Sequence, residues 1–269
     1  MLDSIRQIFR RKPAAEPVGP QPALPPGQRV YAVGDIHGRL DLLTALVEAI
    51  EADDAARGPA DTTIILLGDL VDRGPESAGV IAAARALGQR RRVRILSGNH
   101  EEMLLDGMDN AEVLRHFLRH GGRETLLSYP VDLATYRELT VDETRQLMAS
   151  LIPAEDLALL RGMEDMIVIG DYLFVHAGIR PGVPLPDQKV SDLRWIREPF
   201  LSSNEDLGWC VVHGHTITEE PVLRRNRIGI DTGAFMSGRL TALGLEGTRR
   251  WLIATAEGEQ GIDIVRQDA

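Results

Sequence analysis

The stretch Thr63–Gly74, TIILLGDLVDRG, runs five residues suited to a buried strand straight into Gly68, Asp69, Asp72, Arg73 and Gly74. A short apolar, β-branched run closed by glycine reads as a strand. Its carboxyl end carries two carboxylates and a guanidinium, at the position where an open α/β sheet places its ligand crevice.

The flanking sequence repeats the pattern. RVYAVGD (29–35) and VRILSGN (93–99) read as strands that also end in glycine plus a polar group, with helical LDLLTALVEAIEADDAA (40–56) and ESAGVIAAARAL (76–87) between them. Alternating strands and helices predict an α/β fold. From Glu101 to Gly162 the pattern turns mainly helical and more polar, which reads as an insertion or cap on the same domain. MIVIGDYLFVHAG (166–178) reads as a hairpin. WCVVHGHT (209–216), RIGIDTG (227–233), LTALGLEG (240–247) and RWLIATAE (250–257) read as strands of a second sheet.

Composition narrows the classes of function. Cys210 is the single cysteine, which excludes an internal disulfide framework, and with no signal sequence the expected compartment is the cytosol. No apolar run reaches the ~18 residues of a membrane span. A net charge of −10 argues against non-specific nucleic-acid binding, which relies on clustered Lys and Arg. Residues 1–27 stand apart: MLDSIRQIFRRK is basic with helical apolar spacing, and a proline-rich linker follows. The expected reading is a frayed terminus on a tether, with surface association through residues 1–12 as the alternative. The domain is therefore expected to span 28–269, and removing Met1–Pro26 to leave small-substrate turnover nearly unchanged.

The strand ends bring one kind of chemistry together. They carry Asp35 and His37, Asp69 and Asp72, Asn99 and His100, and later His176 and His215, which are oxygen and imidazole donors with no thiolate in any motif. Converging carboxylates would raise one another's pKa and destabilise the fold unless a cation neutralised them. This donor set suits manganese, iron or zinc, and suffices for two ions. Four features are set aside. His116 and His120, in HFLRH, lack the intervening Glu of a zinc-protease motif and read as cap histidines. His213 has no assigned role, and QRRRVR (89–94) reads as a solvated turn. Asp231 reads as a residue that holds a ligand or loop from behind.

GDIHG, GDLVDRG, GNHE, HAG and GHT, in this order, resemble the metal-dependent phosphoprotein phosphatases of the calcineurin-like metallophosphoesterase superfamily, in their bacterial and phage branch. The resemblance covers roughly Arg29 to Gly233, including LRWIREPF (193–200). It implies two mixed β-sheets packed as a sandwich flanked by helices. It also implies two divalent ions, manganese foremost, with Asp35 and His37 on the first, Asp69 bridging, and Asn99, His176 and His215 on the second. Arg73, Arg197 and Asn99 would bind the phosphate, and His100, held by Asp72, would be the general acid. The implied reaction is hydrolysis of phosphoserine or phosphothreonine in a protein by direct attack of metal-bound hydroxide. The alternatives are symmetrical diadenosine tetraphosphate hydrolysis and broad phosphomonoesterase activity that includes phosphotyrosine. Enzymatic phosphomonoester hydrolysis can reach about 10²¹-fold acceleration, whereas one general acid supplies about 10²–10⁴, so most of the effect must come from metals and arginines.

Overall fold

The TIILL run forms the inner strand β2 (Asp61–Leu66) of a sheet seen in a computed structural model that describes residues 21–269. β2 pairs in parallel with β1 (Gln28–Val33) and β3 (Arg92–Ile95). The connections are α1 (Leu40–Ala56) and α2 (Ser77–Arg90), and α3 (Asn99–Gly107) follows β3. The expected insertion is helical: α4 (Ala111–Phe117), a π-turn at Leu118–Gly122, α5 (Arg123–Leu127), α6 (Leu133–Glu138), α7 (Val141–Leu151) and α8 (Ala154–Arg161). Then come β4 (Met166–Ile169), β5 (Tyr172–Val175), α9 (Val190–Trp195), β6 (Cys210–His213), β7 (Val222–Leu223), β8 (Arg227–Gly229) and α10 (Ala234–Ser237), and the chain closes with β9 (Thr241–Glu246), β10 (Arg249–Gly258) and β11 (Gly261–Asp268).

Two mixed sheets result, with strand orders β11-β10-β9-β1-β2-β3 and β4-β5-β6-β8-β7. Period-two alternation decides which faces meet. Val30 and Ala32 of β1 join Tyr172 and Phe174 of β5 between the sheets. Tyr31 and Val33 turn outward under α1 and α2, while Leu173 and Val175 turn outward under α9. Each such fully buried side chain is worth about 1.5–3 kcal/mol relative to exposure. Among the described residues no helix is long and apolar enough to cross a membrane.

One expectation needs correction. LTALGLEG and RWLIATAE do not join the second sheet: β9 pairs antiparallel with β1, and β10 with β9, completing the first sheet. Alternation identifies a strand but not the edge it joins, and β1 offers a free edge on the side away from β2. Packing also extends ahead of Gln28. Leu24 lies in the inter-sheet core at 3% exposure, and its N–H reaches the Gly247 carbonyl. The Ala23 N–H reaches the Asp171 carboxylate, and the Tyr172 hydroxyl reaches the Pro22 carbonyl. One leucine among prolines has no periodicity, so the sequence cannot tell it from a tether. Leu24→Ala is expected to cost about 2–4 kcal/mol in urea unfolding, and truncation through Pro26 at least as much. Residues 1–12 lie outside the described residues.

Candidate metal centre

β1, β2 and β3 run parallel in one sheet and β5, β6 and β8 in the other, so the loops beyond their carboxyl ends face a shared crevice. The loops are stitched together through their backbones. Ile36 and His37 donate N–H bonds to the Asp69 carbonyl, Gly214 to that of His176, and His215 to the Asp35 carboxylate at 3.0 Å. Among the described residues, the non-glycine positions with left-handed φ are His37, Asp69, Asp72, Arg73 and His215, all in this crevice. Such backbone is strained, and its clustering marks a functional site. Two glycines allow the approach. A Cβ at Gly98 would stand 2.1 Å from Asp69 Oδ1, and one at Gly214 would stand 2.0 Å from Asp35 Oδ1.

Asp69 is central. Its oxygens lie 3.6 Å from His37 Nε2, 3.4 Å from His176 Nε2 and 3.9 Å from His100 Nε2. His37 Nδ1 faces the Val71 carbonyl at 2.7 Å and His176 Nδ1 the Leu67 carbonyl at 2.8 Å, which fixes both rings with Nε2 toward Asp69. Asn99 Oδ1 lies 3.1 Å from His176 Nε2. His215 Nε2 is buried and finds no hydrogen-bond partner among the described residues. Two tight groups of metal-ligating atoms emerge, His37–Asp69–His100 and Asp69–His176–His215. Asp35 is outside both, tied in through the His215 N–H and its charge on His176.

The electrostatics suit a divalent cation. Burial lowers the pKa of His37 and of His215 to about 3, leaving both neutral with lone pairs available. Burial opposes charge on His176 as well, but Asp69 and Asp35 lift its pKa to about 10, so a proton there balances the carboxylates. Burial and the facing charge of Asp231 push Asp35 well up. Burial would also raise Asp69, but His176 and His100 hold it well down. Orphaned imidazole nitrogen and buried carboxylates around a shared centre suit divalent ions.

A second constellation flanks the first. His100 Nδ1 lies 2.5 Å from Asp72 Oδ2. The hydroxyl of Thr125 donates to the other Asp72 oxygen at 2.6 Å and accepts the Asp72 N–H, as does Ser77 Oγ. The Arg73 guanidinium reaches His37 Nε2 at 2.7 Å and His100 Nε2 at 3.0 Å, and lies over the ring of Phe235. Arg197 is exposed beyond α9; its charge reaches His215, but it touches none of these ligands among the described residues.

Some contributors had no structural role assigned from the sequence. Glu101 is fully buried and accepts N–H bonds from Gly98, Asp69, Leu70 and Val71, holding the left-handed loop that presents Asp69. Its place in GNHE was the available signal. Thr125 sits in the insertion with no local signal, whereas Phe235, just beyond DTG, was an aromatic residue open to notice. Glu101→Gln would turn an amide N–H₂ toward backbone donors, with an expected cost of about 2–4 kcal/mol in chemical unfolding of the metal-free protein.

His213, His116 and His120 lie outside both ligand groups. His213 faces the Gly214 carbonyl and Phe200, and burial lowers its pKa to about 4. His116 and His120 are exposed, and Cys210 is buried, its thiol pushed up to about 11 by burial. Asp231 accepts the Gly233 N–H, fixing the turn that carries Phe235.

The family model of the calcineurin-like phosphoesterases matches residues 28–230. The asymmetrical bis(5'-nucleosyl)-tetraphosphatase PrpE of Bacillus subtilis (strain 168) is 26% identical over 227 residues, covering 78% of this chain and 87% of that protein. Serine/threonine-protein phosphatase 1 of Salmonella typhimurium is 28% identical over 222 residues, covering 80% and 90%. The crystal structure of the cold-active protein-tyrosine phosphatase of a Shewanella species superposes with a TM-score of 0.57 at 19% identity, covering 91% of this chain and 83% of that one, a likeness of fold.

Proposed function

Because the chain belongs to the calcineurin-like phosphoesterase family, we propose that it is a dinuclear protein serine/threonine phosphatase that works with manganese. Asp35 and His37 would hold the first ion, Asp69 would serve both, and Asn99, His176 and His215 would hold the second. When bound, the ions supply Lewis-acid charge and lower the pKa of a water near neutral pH. Arg73 and Arg197 receive the phosphoryl oxygens, with Asn99 as a further contact. Arg73 must then turn its guanidinium from His37 Nε2 toward the phosphate, a short swing from its present 2.7 Å contact. Planar, two-pronged donors suit that task.

The observation that carries this reading is the buried His100–Asp72 pair beside Asp69 and Arg73. Serine and threonine leave as alkoxides of high pKa and need a proton in the transition state. A nucleoside triphosphate leaves as a stable anion and needs none. A held proton donor therefore favours an alkyl phosphomonoester.

Resemblance to PrpE supports a second reading, asymmetrical dinucleoside tetraphosphate hydrolysis in place of the symmetrical cleavage weighed from the sequence. The deciding assay uses metal-stripped protein with and without Mn²⁺ on a phosphoserine peptide, a phosphotyrosine peptide and diadenosine tetraphosphate. Metal-dependent phosphate release from the phosphoserine peptide is expected. ATP plus AMP from the dinucleotide with inert peptides would overturn the protein-phosphatase reading, and two ADP would indicate symmetrical cleavage. Release from phosphotyrosine as well would broaden the substrate class.

A further inference from the structure

Two basic clusters stand out among the described residues, and one of them is neutralised by carboxylates. Arg90 and Arg91 pair with Glu51, Arg91 also with Asp54, Arg92 with Asp61 and Arg94 with Glu164. That arrangement explains a run of arginines in a chain of net charge −10. His116, Arg119 and His120, at the end of α4 and in the π-turn after it, are exposed, and among the described residues no carboxylate pairs with them. His120 Nδ1 is tied to the His116 carbonyl at 2.8 Å, and the two rings lie 4.0 Å apart, so the histidines are held side by side.

Their position matters more than their charge. The next residue, Gly121 at φ 111°, accepts the Arg73 N–H at 3.1 Å, and a Cβ there would stand 2.7 Å from Arg73 Cγ. The π-turn therefore lies directly on the arginine whose guanidinium reaches His100. Partial burial lowers the His116 pKa, and His120, Arg119 and the buried His100 add to the lowering, so the ring lies within the field of the centre. An arginine with no carboxylate partner among the described residues, flanked by two exposed imidazole donors beside an anion-handling site, draws anionic ligands.

We infer that His116, Arg119 and His120 form an anion subsite that takes a second acidic group of the substrate, beside the phosphate received by Arg73. The inference rests on reading the metal centre as a phosphate site. Its ligand is a phosphoryl or carboxylate group close to the scissile phosphate, supplied either by a polyphosphate chain or by an acidic residue flanking the phosphorylated one.

The test compares wild-type protein with Arg119→Ala, Arg119→Glu and the Arg119→Ala/His120→Ala double variant, all at saturating Mn²⁺. p-Nitrophenyl phosphate, with a single anionic group, reports the centre alone, and its kcat/KM is expected to stay within about twofold of wild type. Calorimetric affinity for ADP relative to AMP reads the phosphoryl arm. kcat/KM for a phosphoserine peptide with a following Asp, relative to Asn, reads the carboxylate arm. Wild type is expected to prefer the more anionic member of at least one pair by about tenfold, the variants to bring that ratio close to one, and Arg119→Glu to invert it. Collapse of the nucleotide ratio identifies a phosphoryl partner, and collapse of the peptide ratio a carboxylate. The subsite is overturned if wild type shows neither preference, if both ratios survive the substitutions, or if p-nitrophenyl phosphate turnover falls by the same factor. Failure of wild type to hydrolyse p-nitrophenyl phosphate with Mn²⁺ would instead overturn the proposed function.

Discussion

Asp69→Asn should fold and lose turnover by about 10⁴-fold or more, equivalent to ~5.5 kcal/mol of barrier. The substitution keeps the shape of the side chain, and the backbone of residue 69 is held independently by Glu101 and by the N–H groups of Ile36 and His37 on its carbonyl. The charge is what disappears. Asp69 is the only residue common to both ligand groups, so its replacement removes the anion that both ions are proposed to share. An amide N–H₂ must also face either the His100 N–H, now 3.1 Å from Oδ1, or His37 Nε2. Elemental analysis should find two manganese ions per chain in wild type and one or none in the variant. Two ions retained with activity intact would sink the bridging role.

The metal-free proteins should differ in pH dependence too. His176 has a folded pKa of about 10 against an ordinary ~6.5, so its contribution is fully present below ~6.5 and is lost as pH rises through about 10. Asp69, held well below its ordinary range, contributes stability above ~3.9 that is lost as pH falls through its folded value. Both contributions depend on the same pair, so unfolding of Asp69→Asn should be flatter with pH at both ends.

How much of this could be read from the chain depends on how local each cause is. TIILL and its neighbours were legible as strands because apolar pattern and glycine punctuation act within a few residues. The helices of the insertion were legible for the same reason. The placement of β9 and β10 was not, because pairing with β1 joins residues such as Tyr31 and Gly244, far apart in the chain. Leu24 was lost because a single apolar contact has no period. At the site, His37, Asp69, Asn99, His176 and His215 were visible because each ends a strand in a glycine-bracketed motif. Their supports were harder to see: Thr125 reaches Asp72 from 53 positions away, and its neighbours carry no strand-end signature.

His100→Asn should separate two roles that the geometry leaves close together. The ring is hydrogen-bonded to Asp72 through Nδ1, yet its Nε2 falls in a ligand group with His37 and Asp69. As a proton donor, His100 would contribute about 10²–10⁴-fold to cleavage of a phosphoserine peptide and far less to p-nitrophenyl phosphate, whose leaving group departs without a proton. Burial disfavours the imidazolium, but Asp69 and Asp72 outweigh it and raise the pKa, which favours the protonated donor. Burial lifts Asp72 to about 6, while its hydrogen bond to His100 opposes that rise. The sign follows: peptide turnover should fall as pH rises through the His100 value, and that alkaline limb should vanish in His100→Asn while manganese content stays at two. As a ligand, by contrast, His100 would serve both substrates equally. Its loss would then depress both rates by one factor and take metal with it, and Asp72→Asn, which leaves Nε2 in place, would be milder on both. A large loss on the peptide, a small one on the aryl ester, unchanged metal content and loss of the alkaline limb, taken together, would assign the Nε2 proton to the leaving oxygen.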